Sequence, residues 1–191
     1  MLIGIVGLNG SGKDSVAEYL VDKYHFAHKD LGQEIRQELK ALGRNYLDRN
    51  EMIALGNEMR QKYGYNYWCK RAIESVASSD IVITSIRNPS EAEEIKSRGG
   101  KIIGISANLN VRFQRTIQRV KDNPDGNTKH GDIKSFDDFQ AKERKELESN
   151  DPSKQQLLKC IAMADYTIDN NGDIKQLYGI VEETLSRLDY K

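Results

Sequence analysis

The sequence predicts a three-layer α/β/α sandwich around a five-stranded parallel sheet. Five short apolar runs, rich in Ile and Val, alternate with segments in which apolar residues recur at helical spacing. The best of these runs are apolar at nearly every position, as is typical of parallel strands that are buried on both faces. Because parallel strands need crossover connections, the intervening helices are expected to cover both faces of the sheet.

The first strand and the first helix are the clearest elements. The run "LIGIVG" at 2–7 is continuous and apolar, and a helical pattern begins at about Lys13. The predicted buried face of this helix consists of Val16, Ala17, Leu20 and Val21.

The next elements are a weaker strand, "HFAHK" at 25–29, and three helices. The first helix ends at Gly43, a residue type that is common just past helix ends. Its apolar positions are Leu31, Ile35, Leu39 and Leu42. Residues 50–77 predict two further polar helices, interrupted near "YGYNYW".

The second half of the chain supplies the remaining three strands: "DIVITSI", "KIIGISA" and "DYTID". A final helix is expected to pack through the stripe Ile174, Leu177, Val181, Leu185 and Leu188. The 191 residues fit one domain, which we take as 1–191.

Composition limits the classes of partner. The chain has 29 basic and 29 acidic residues, so it carries no net positive field that would hold a nucleic acid. The first apolar run is too short for a membrane span or the core of a signal peptide. Cys69 and Cys160 lack metal-ligand spacing and are expected to be inert buried thiols of a reducing compartment. We expect a cytoplasmic monomer or homodimer that binds neither nucleic acid nor membrane.

A glycine-rich loop between the first strand and the first helix carries the strongest chemical signal. Its spacing predicts a phosphate-binding loop formed by Gly7, Asn9, Gly10, Ser11, Gly12 and Lys13. Backbone N–H groups and the positive end of the helix dipole would converge there on a polyphosphate, and Lys13 would add a cation. The alternative is an accidental glycine-rich turn, which the flanking strand and helix disfavour.

Asp14 stands where a phosphate-binding loop normally has the Ser or Thr that holds Mg²⁺, and Ser15 follows it. A carboxylate is a suitable ligand for a hard cation, so Asp14 and Ser15 are the predicted metal residues. The alternative is that Asp14 only complements the helix N-terminus electrostatically.

Arginines are frequent after the predicted strand ends. The candidates are Arg36, Arg60, Arg87, Arg112, Arg115 and Arg119, the last three at i, i+3 and i+7 of one helical segment. Phosphoryl transfer needs fixed cations because negative charge spreads over the phosphate oxygens. A single one of these arginines is better explained as a solvated surface charge, but several that follow strand ends beside a phosphate-binding loop favour a functional role. Residues 121–132 are polar and contain Gly and Pro, which predicts a lid spanning about 121–140.

Several stretches together carry a family resemblance over nearly the whole chain: "GLNGSGKDS", "LGQEIR", "IRNPSEAEEI", "RFQRTIQR" and "MADYTIDNNGD". The chain resembles P-loop kinases of the nucleoside-monophosphate-kinase-like group. Within that group it is most similar to archaeal-type dephospho-CoA kinases, with deoxynucleoside monophosphate kinases as near relatives. The resemblance implies a P-loop NTPase fold with a lid, and ATP and Mg²⁺ as cofactors.

The resemblance also implies residue roles. Arg115 and the loop Asn170, Asn171 and Gly172 would lie near the adenine of ATP, and Arg119 would reach the transferring phosphates. Asp30 would act near an accepting hydroxyl. Together with Lys13, Arg87 and Arg119, Asp30 completes the predicted catalytic set. Arg36, Arg60 and Arg87 would bind the acceptor, within a helical region at about 31–78.

The chain departs from the family at two places. Thr84 and Ser85 stand where archaeal-type relatives often have Asp-Gly, and Gln33 stands where an Asp is common. With these departures, the resemblance supports ATP-dependent phosphoryl transfer more firmly than any named substrate. The first choice of function is an ATP-dependent kinase of a small molecule, with dephospho-CoA as acceptor. The alternatives are a nucleoside or deoxynucleoside monophosphate kinase and a catalytically silent nucleotide-binding regulator.

Overall fold

A computed structural model describes residues 1–122, 133 and 135–190. Five parallel strands form one sheet with the order β2-β3-β1-β4-β5, so the first strand lies in the middle. The strands are β1 (Leu2–Gly7), β2 (Ala27–Asp30), β3 (Ile81–Thr84), β4 (Lys101–Ser106) and β5 (Tyr166–Asp169). The predicted fold class is confirmed.

The helices of the described residues cover both faces of the sheet. They are α1 (Lys13–Tyr24), α2 (Leu31–Ala41), α3 (Arg49–Tyr63), α4 (Tyr67–Glu74), α5 (Pro89–Ser97), α6 (Leu109–Asp122), α7 (Phe136–Leu147), α8 (Leu157–Ala162) and α9 (Ile174–Arg187). One buried cluster joins the sheet to α2, α3, α4, α5 and α8, and a second joins it to α1 and α9. This division makes the three layers.

The register of the sheet brings the carboxyl ends of the strands to one edge. Asp30 at the end of β2 pairs with Thr84 at the end of β3, and Gly7 pairs with Ile105 near the end of β4. The segments that leave the strands therefore begin side by side. In parallel α/β sheets this edge is where ligands bind.

Two sequence expectations about individual elements are corrected. The second strand begins at Ala27, because His25 takes a left-handed conformation (φ 59°) as the C-cap of α1 and Phe26 is buried in the core. In α9, Leu177, Val181 and Leu185 are buried as predicted. Ile174 was predicted to belong to the same buried stripe, but it lies in the first turn of α9 and is 46% exposed.

The predicted lid, 121–140, falls mostly outside the described residues. Its last part, from Phe136, begins α7.

Cys69 and Cys160 are buried and form no disulfide, and burial raises the pKa of both thiols well above the ordinary value. None of the described helices is both long enough and apolar enough to span a bilayer.

Candidate active site

The loop between β1 and α1 contains glycines at positions where a residue with a side chain would be strained or would clash with its neighbours. Gly10 (φ 76°) and Gly12 (φ 102°) lie in the left-handed region, where a Cβ is unfavourable. A Cβ on Gly10 would also lie 2.4 Å from the Arg112 carbonyl oxygen, and one on Gly12 would lie 2.2 Å from Asn170 Nδ2. The loop therefore has its close-packed shape only because these positions carry no side chain.

The same loop presents groups suited to an anion. Lys13 is the first residue of α1, and its Nζ donates to the Leu8 carbonyl oxygen at 2.8 Å, so its charge lies over the loop. Ser11 is completely buried, and its hydroxyl has no hydrogen-bond partner among the described residues. The first N–H groups of α1 precede the first helical bond, from Val16 to Gly12, and so face the loop without intrahelical partners. Amide, hydroxyl and ammonium donors of this kind are suited to an anion such as a phosphate.

Asn170 connects the glycine-rich loop to the loop after β5. It is 4% exposed, and its Nδ2 donates to the Ser11 carbonyl oxygen at 2.8 Å. Arg115 on α6 donates to the carbonyl oxygens of Asn170 and Gly172 at 2.8 and 2.9 Å. Asn171 accepts a hydrogen bond from the Asn108 amide at 2.7 Å. The structure thus brings together the four residues predicted to lie near an adenine.

Arg112 packs against the glycine-rich loop on its interior side. Its guanidinium is buried, donates to the Asn9 carbonyl oxygen at 3.1 Å and pairs with Glu143 on α7. Sequence spacing placed Arg112 on the same charged face as Arg115 and Arg119. The structure separates them, since Arg112 is interior and the other two are half-exposed.

A cleft beside the loop collects charged side chains from three segments. It is lined by Asn9, Gly10, Gly12, Lys13, Asp14, Ser85, Arg87 and Arg119. Arg119 approaches Asp14 across the cleft, with 3.4 Å between Nη1 and Oδ2. Three of the four predicted catalytic residues therefore line one space, with Asp30 at the neighbouring strand end.

The predicted metal residues lie in the first turn of α1. Among the described residues, no group of three or more His, Cys, Asp or Glu side chains could hold a metal ion. Asp14 with Ser15 is a donor set that suits Mg²⁺, which protein sites commonly bind through one or two carboxylates plus phosphate oxygens and water. Thr84 adds no ligand, because it is 1% exposed and its hydroxyl lies 2.8 Å from His28 Nε2.

Asp30 and Arg36 occupy the start of α2. The Asp30 carboxylate caps this helix by accepting a hydrogen bond from the Gly32 amide at 2.9 Å. Arg36 lies in the second turn of α2, is half-buried, and makes no hydrogen bond or ion pair with any residue that the structure describes. Asp30 lies close to the cleft, because it pairs in the sheet with Thr84, the residue before the cleft residue Ser85.

Arg87 is engaged by a carboxylate from α7. Glu146, 4% exposed, forms ion pairs with both Arg87 and Arg49. Burial, with a further contribution from the nearby Arg49 charge, lowers the pKa of Arg87 to about 10. Two guanidinium groups therefore converge on one anionic group at this wall of the cleft.

Arg60 is placed in the interior. Its Nε and Nη2 donate to Glu91 Oε1 at 3.0 and 2.8 Å, and both side chains are almost fully buried. The other oxygen of Glu91 accepts the amides of Arg87 and Asn88. Arg60 is absent from the described residues that line the cleft. Among the described residues, Glu91 links Arg60 to the segment that carries Arg87.

Sequence reasoning missed three buried carboxylates: Glu91 and Glu146 beside Arg87, and Glu143 beside Arg112. Glu91 had a detectable signal, because Asn88 and Glu91 have the spacing of a capping box at the start of α5. Glu143 and Glu146 lie on a helix with many charged residues, where no spacing distinguishes a buried Glu from a solvated one. Ser85 was noticed only as a departure from a family pattern.

No protein-family model matches the chain, and no curated protein matches it. Solved structures are similar in fold. A shikimate kinase from Bacteroides thetaiotaomicron has a TM-score of 0.61 at 16% identity over 99% of this chain and 98% of that chain. A shikimate kinase from Acinetobacter baumannii, in complex with shikimate, has a TM-score of 0.58 at 19% identity over 100% and 95%.

A gluconokinase from Sinorhizobium meliloti is also similar, with a TM-score of 0.54 at 15% identity over 97% of this chain and 91% of that chain. Identities this low establish a shared fold and nothing finer. The chain has the fold of the P-loop kinases.

Proposed function

We propose that this chain is an ATP-dependent phosphotransferase that acts on a small acceptor. The observation that carries the proposal is the cleft in which Lys13, Asp14 and Arg119 face Arg87 beside a glycine-shaped anion cradle. Phosphoryl transfer is catalysed mainly by positioning and by fixed positive charge, and these residues supply both. We name the loop 7–15 with the loop 170–172 the phosphate side, and Asp30, Arg36, Arg49, Arg87 and Glu146 the acceptor side.

On the phosphate side, the backbone cradle and Lys13 would hold the phosphates of ATP, and Arg119 would neutralise charge on the group in transfer. Arg115 and the 170–172 loop would border the adenine. Asp14 and Ser15 are the residues that would hold Mg²⁺, whose positive charge would offset the charge of the phosphate oxygens.

On the acceptor side, our first choice of acceptor is dephospho-CoA. The family resemblance supports this choice, and the position of Asp30 agrees with it. Its carboxylate lies at a strand end beside the cleft, where it would take the proton of an accepting hydroxyl. The related kinases of shikimate and gluconate also have acceptors that bear hydroxyl groups, so both compounds belong among the acceptors to be tested.

The second candidate is a nucleoside or deoxynucleoside monophosphate kinase. The pairing of Arg49 and Arg87 with the Glu146 carboxylate favours it, because two guanidinium groups suit a phosphate. A phosphate acceptor is already anionic and needs no base. Under this alternative Asp30 would cap α2 and would matter for the reaction mainly through Mg²⁺.

An acceptor panel with Mg·ATP tests the proposal. It contains dephospho-CoA, nucleoside and deoxynucleoside monophosphates, shikimate and gluconate, and phosphorylated products are identified by mass spectrometry. We expect transfer to one class of acceptor. Binding of Mg·ATP without transfer to any of them would contradict the proposal and favour the silent regulator.

The variant Asp30→Asn separates the two acceptor classes. Asn caps a helix as well as Asp does, so the fold is preserved. With a hydroxyl acceptor, loss of the base should lower kcat by about 100-fold with little change in KM. With a phosphate acceptor, kcat at saturating Mg²⁺ should be nearly unchanged, and full activity of this variant on dephospho-CoA would remove Asp30 from the mechanism.

A further inference from the structure

Ser85 has a backbone conformation that is unusual for a residue with a side chain. It follows β3 directly and has a φ of 61°. Among the described residues, His25 and Asp189 are the other non-glycine positions with positive φ, and both lie at the ends of helices, where this conformation is common. Ser85 ends a buried strand instead. Residues held in such conformations cluster at functional sites.

The side chain of Ser85 lines the cleft between the two sides of the site. Lys13, Asp14 and Arg119 lie on the phosphate side of the same cleft, and Arg87 follows Ser85 by two residues. The hydroxyl makes no hydrogen bond with any described residue. Thr84, one residue earlier, points its hydroxyl at His28 instead. Ser85 is therefore the hydroxyl that β3 offers to a ligand in the cleft.

We propose that Ser85 Oγ donates a hydrogen bond to the terminal phosphoryl group of the bound nucleoside triphosphate. This inference rests on the proposed function. The glycine-rich loop would contact the phosphates from the segment between β1 and α1, whereas Ser85 enters the same cleft from the segment after β3, two residues before the acceptor-side Arg87. The phosphoryl group that lies between nucleotide and acceptor is the one transferred. A diphosphate has no group at that place, so Ser85 discriminates between triphosphate and diphosphate.

Calorimetric titration tests the contact without any acceptor. Dissociation constants are measured for Mg·ADP and for the magnesium complex of a non-hydrolysable ATP analogue, with the wild type, Ser85→Gly and Ser85→Ala. Because hydrogen bonds to charged groups are strong, both variants should bind the triphosphate analogue about tenfold more weakly. Mg·ADP binding should stay within about twofold of the wild-type value. The matched control Ser97→Ala, at the end of α5, should alter neither constant.

Thermal unfolding distinguishes the effect of losing the Ser85 hydroxyl from the effect of relieving the strained backbone at this position. Ser85→Gly should raise the melting temperature, because Gly adopts positive φ without a steric penalty, and Ser85→Ala should not. A variant that is more stable and yet binds the triphosphate analogue less tightly identifies a hydroxyl that is retained for a ligand contact at a cost in stability.

The outcomes that overturn the inference differ from those that overturn the proposed function. An unchanged ratio of the two dissociation constants in both variants excludes the Ser85 contact. So does a change in Ser85→Gly alone, which would reflect backbone freedom. A wild type that binds neither nucleotide overturns both proposals. If the Ser85 variants change the ratio of the two dissociation constants as expected, but the wild type phosphorylates no acceptor, only the phosphotransferase assignment is contradicted.

Discussion

The phosphate side and the acceptor side of the site are built in different ways. The phosphate side is mainly backbone, with Gly10 and Gly12 at positive φ and one amide side chain, Asn170, joining its two loops. The acceptor side consists of charged side chains, and its most buried arginine, Arg87, is already paired with Glu146. The first is shaped by local conformation and the second by ion pairs between distant segments.

This difference predicts how each side would bind its proposed ligand. A backbone cradle presents N–H groups that suit any polyphosphate, and the side chains around it, such as Arg112, hold its shape without lining the cleft. Ion pairs such as Arg87 with Glu146 hold cations in place, but an incoming acceptor anion must compete with the carboxylate. Substitutions on the acceptor side should therefore affect stability and acceptor choice, whereas those on the phosphate side should affect turnover and metal use.

The largest expected effect is on stability, at the ion pair behind the acceptor side. Arg60→Met leaves the fully buried Glu91 carboxylate without its cation, which should lower the free energy of unfolding by about 3–5 kcal/mol. Urea denaturation measures this change. The control Arg98→Met removes a partly exposed ion pair and should cost less than about 1 kcal/mol. A similar small loss for both variants would mean that the interior pair contributes no more than a surface one.

The next effect is on turnover and belongs to the phosphate side. Lys13→Ala should lower kcat by 100-fold or more, about 2.7 kcal/mol, because it removes a cation whose interaction strengthens in the transition state. Steady-state assays with the identified acceptor give the value. Lys23→Ala, in the last turn of the same helix, should retain activity. Normal turnover by Lys13→Ala would refute the assignment of the glycine-rich loop.

The third effect, similar to or smaller than that of Lys13→Ala, should alter the binding of the acceptor but not the binding of ATP. Arg87→Lys replaces a planar guanidinium by a point charge and should weaken acceptor binding by about 1.5–3 kcal/mol while leaving the KM for ATP nearly unchanged. The KM values for the two substrates are measured separately. An equal rise in both would place Arg87 on the phosphate side and remove the contrast between the two sides.

The smallest expected effect concerns the metal. If Asp14 belongs to the Mg²⁺ shell, Asp14→Ala should raise the Mg²⁺ concentration for half activity by about tenfold. Asp22→Ala, further along α1, is the matched control. An unchanged Mg²⁺ titration would favour the alternative in which Asp14 serves only the helix dipole and its contact with Arg119.

Much of the phosphate side was predictable because its determinants are contiguous. The strand, the glycine spacing, Lys13 and the helix start occupy one short stretch, and each follows from local backbone preferences. The proximity of Arg115 to Asn170 and Gly172 came from the resemblance and not from spacing, since these residues meet only across the sheet edge.

The sequence by itself determined the fold class and the order of the five strands along the chain, and it predicts an anion-binding loop, because hydrophobic periodicity and glycine spacing act over short distances along the chain. Helices α7 and α8, between α6 and β5, were not predicted. The tertiary structure alone decided which charges are interior. Sequence analysis predicts an acceptor-binding role for both Arg60 and Arg87, yet packing placed one against Glu91 in the core and the other on the cleft wall with Glu146. Whether a charge is buried depends on helices that meet from distant parts of the chain, and no local pattern encodes that meeting.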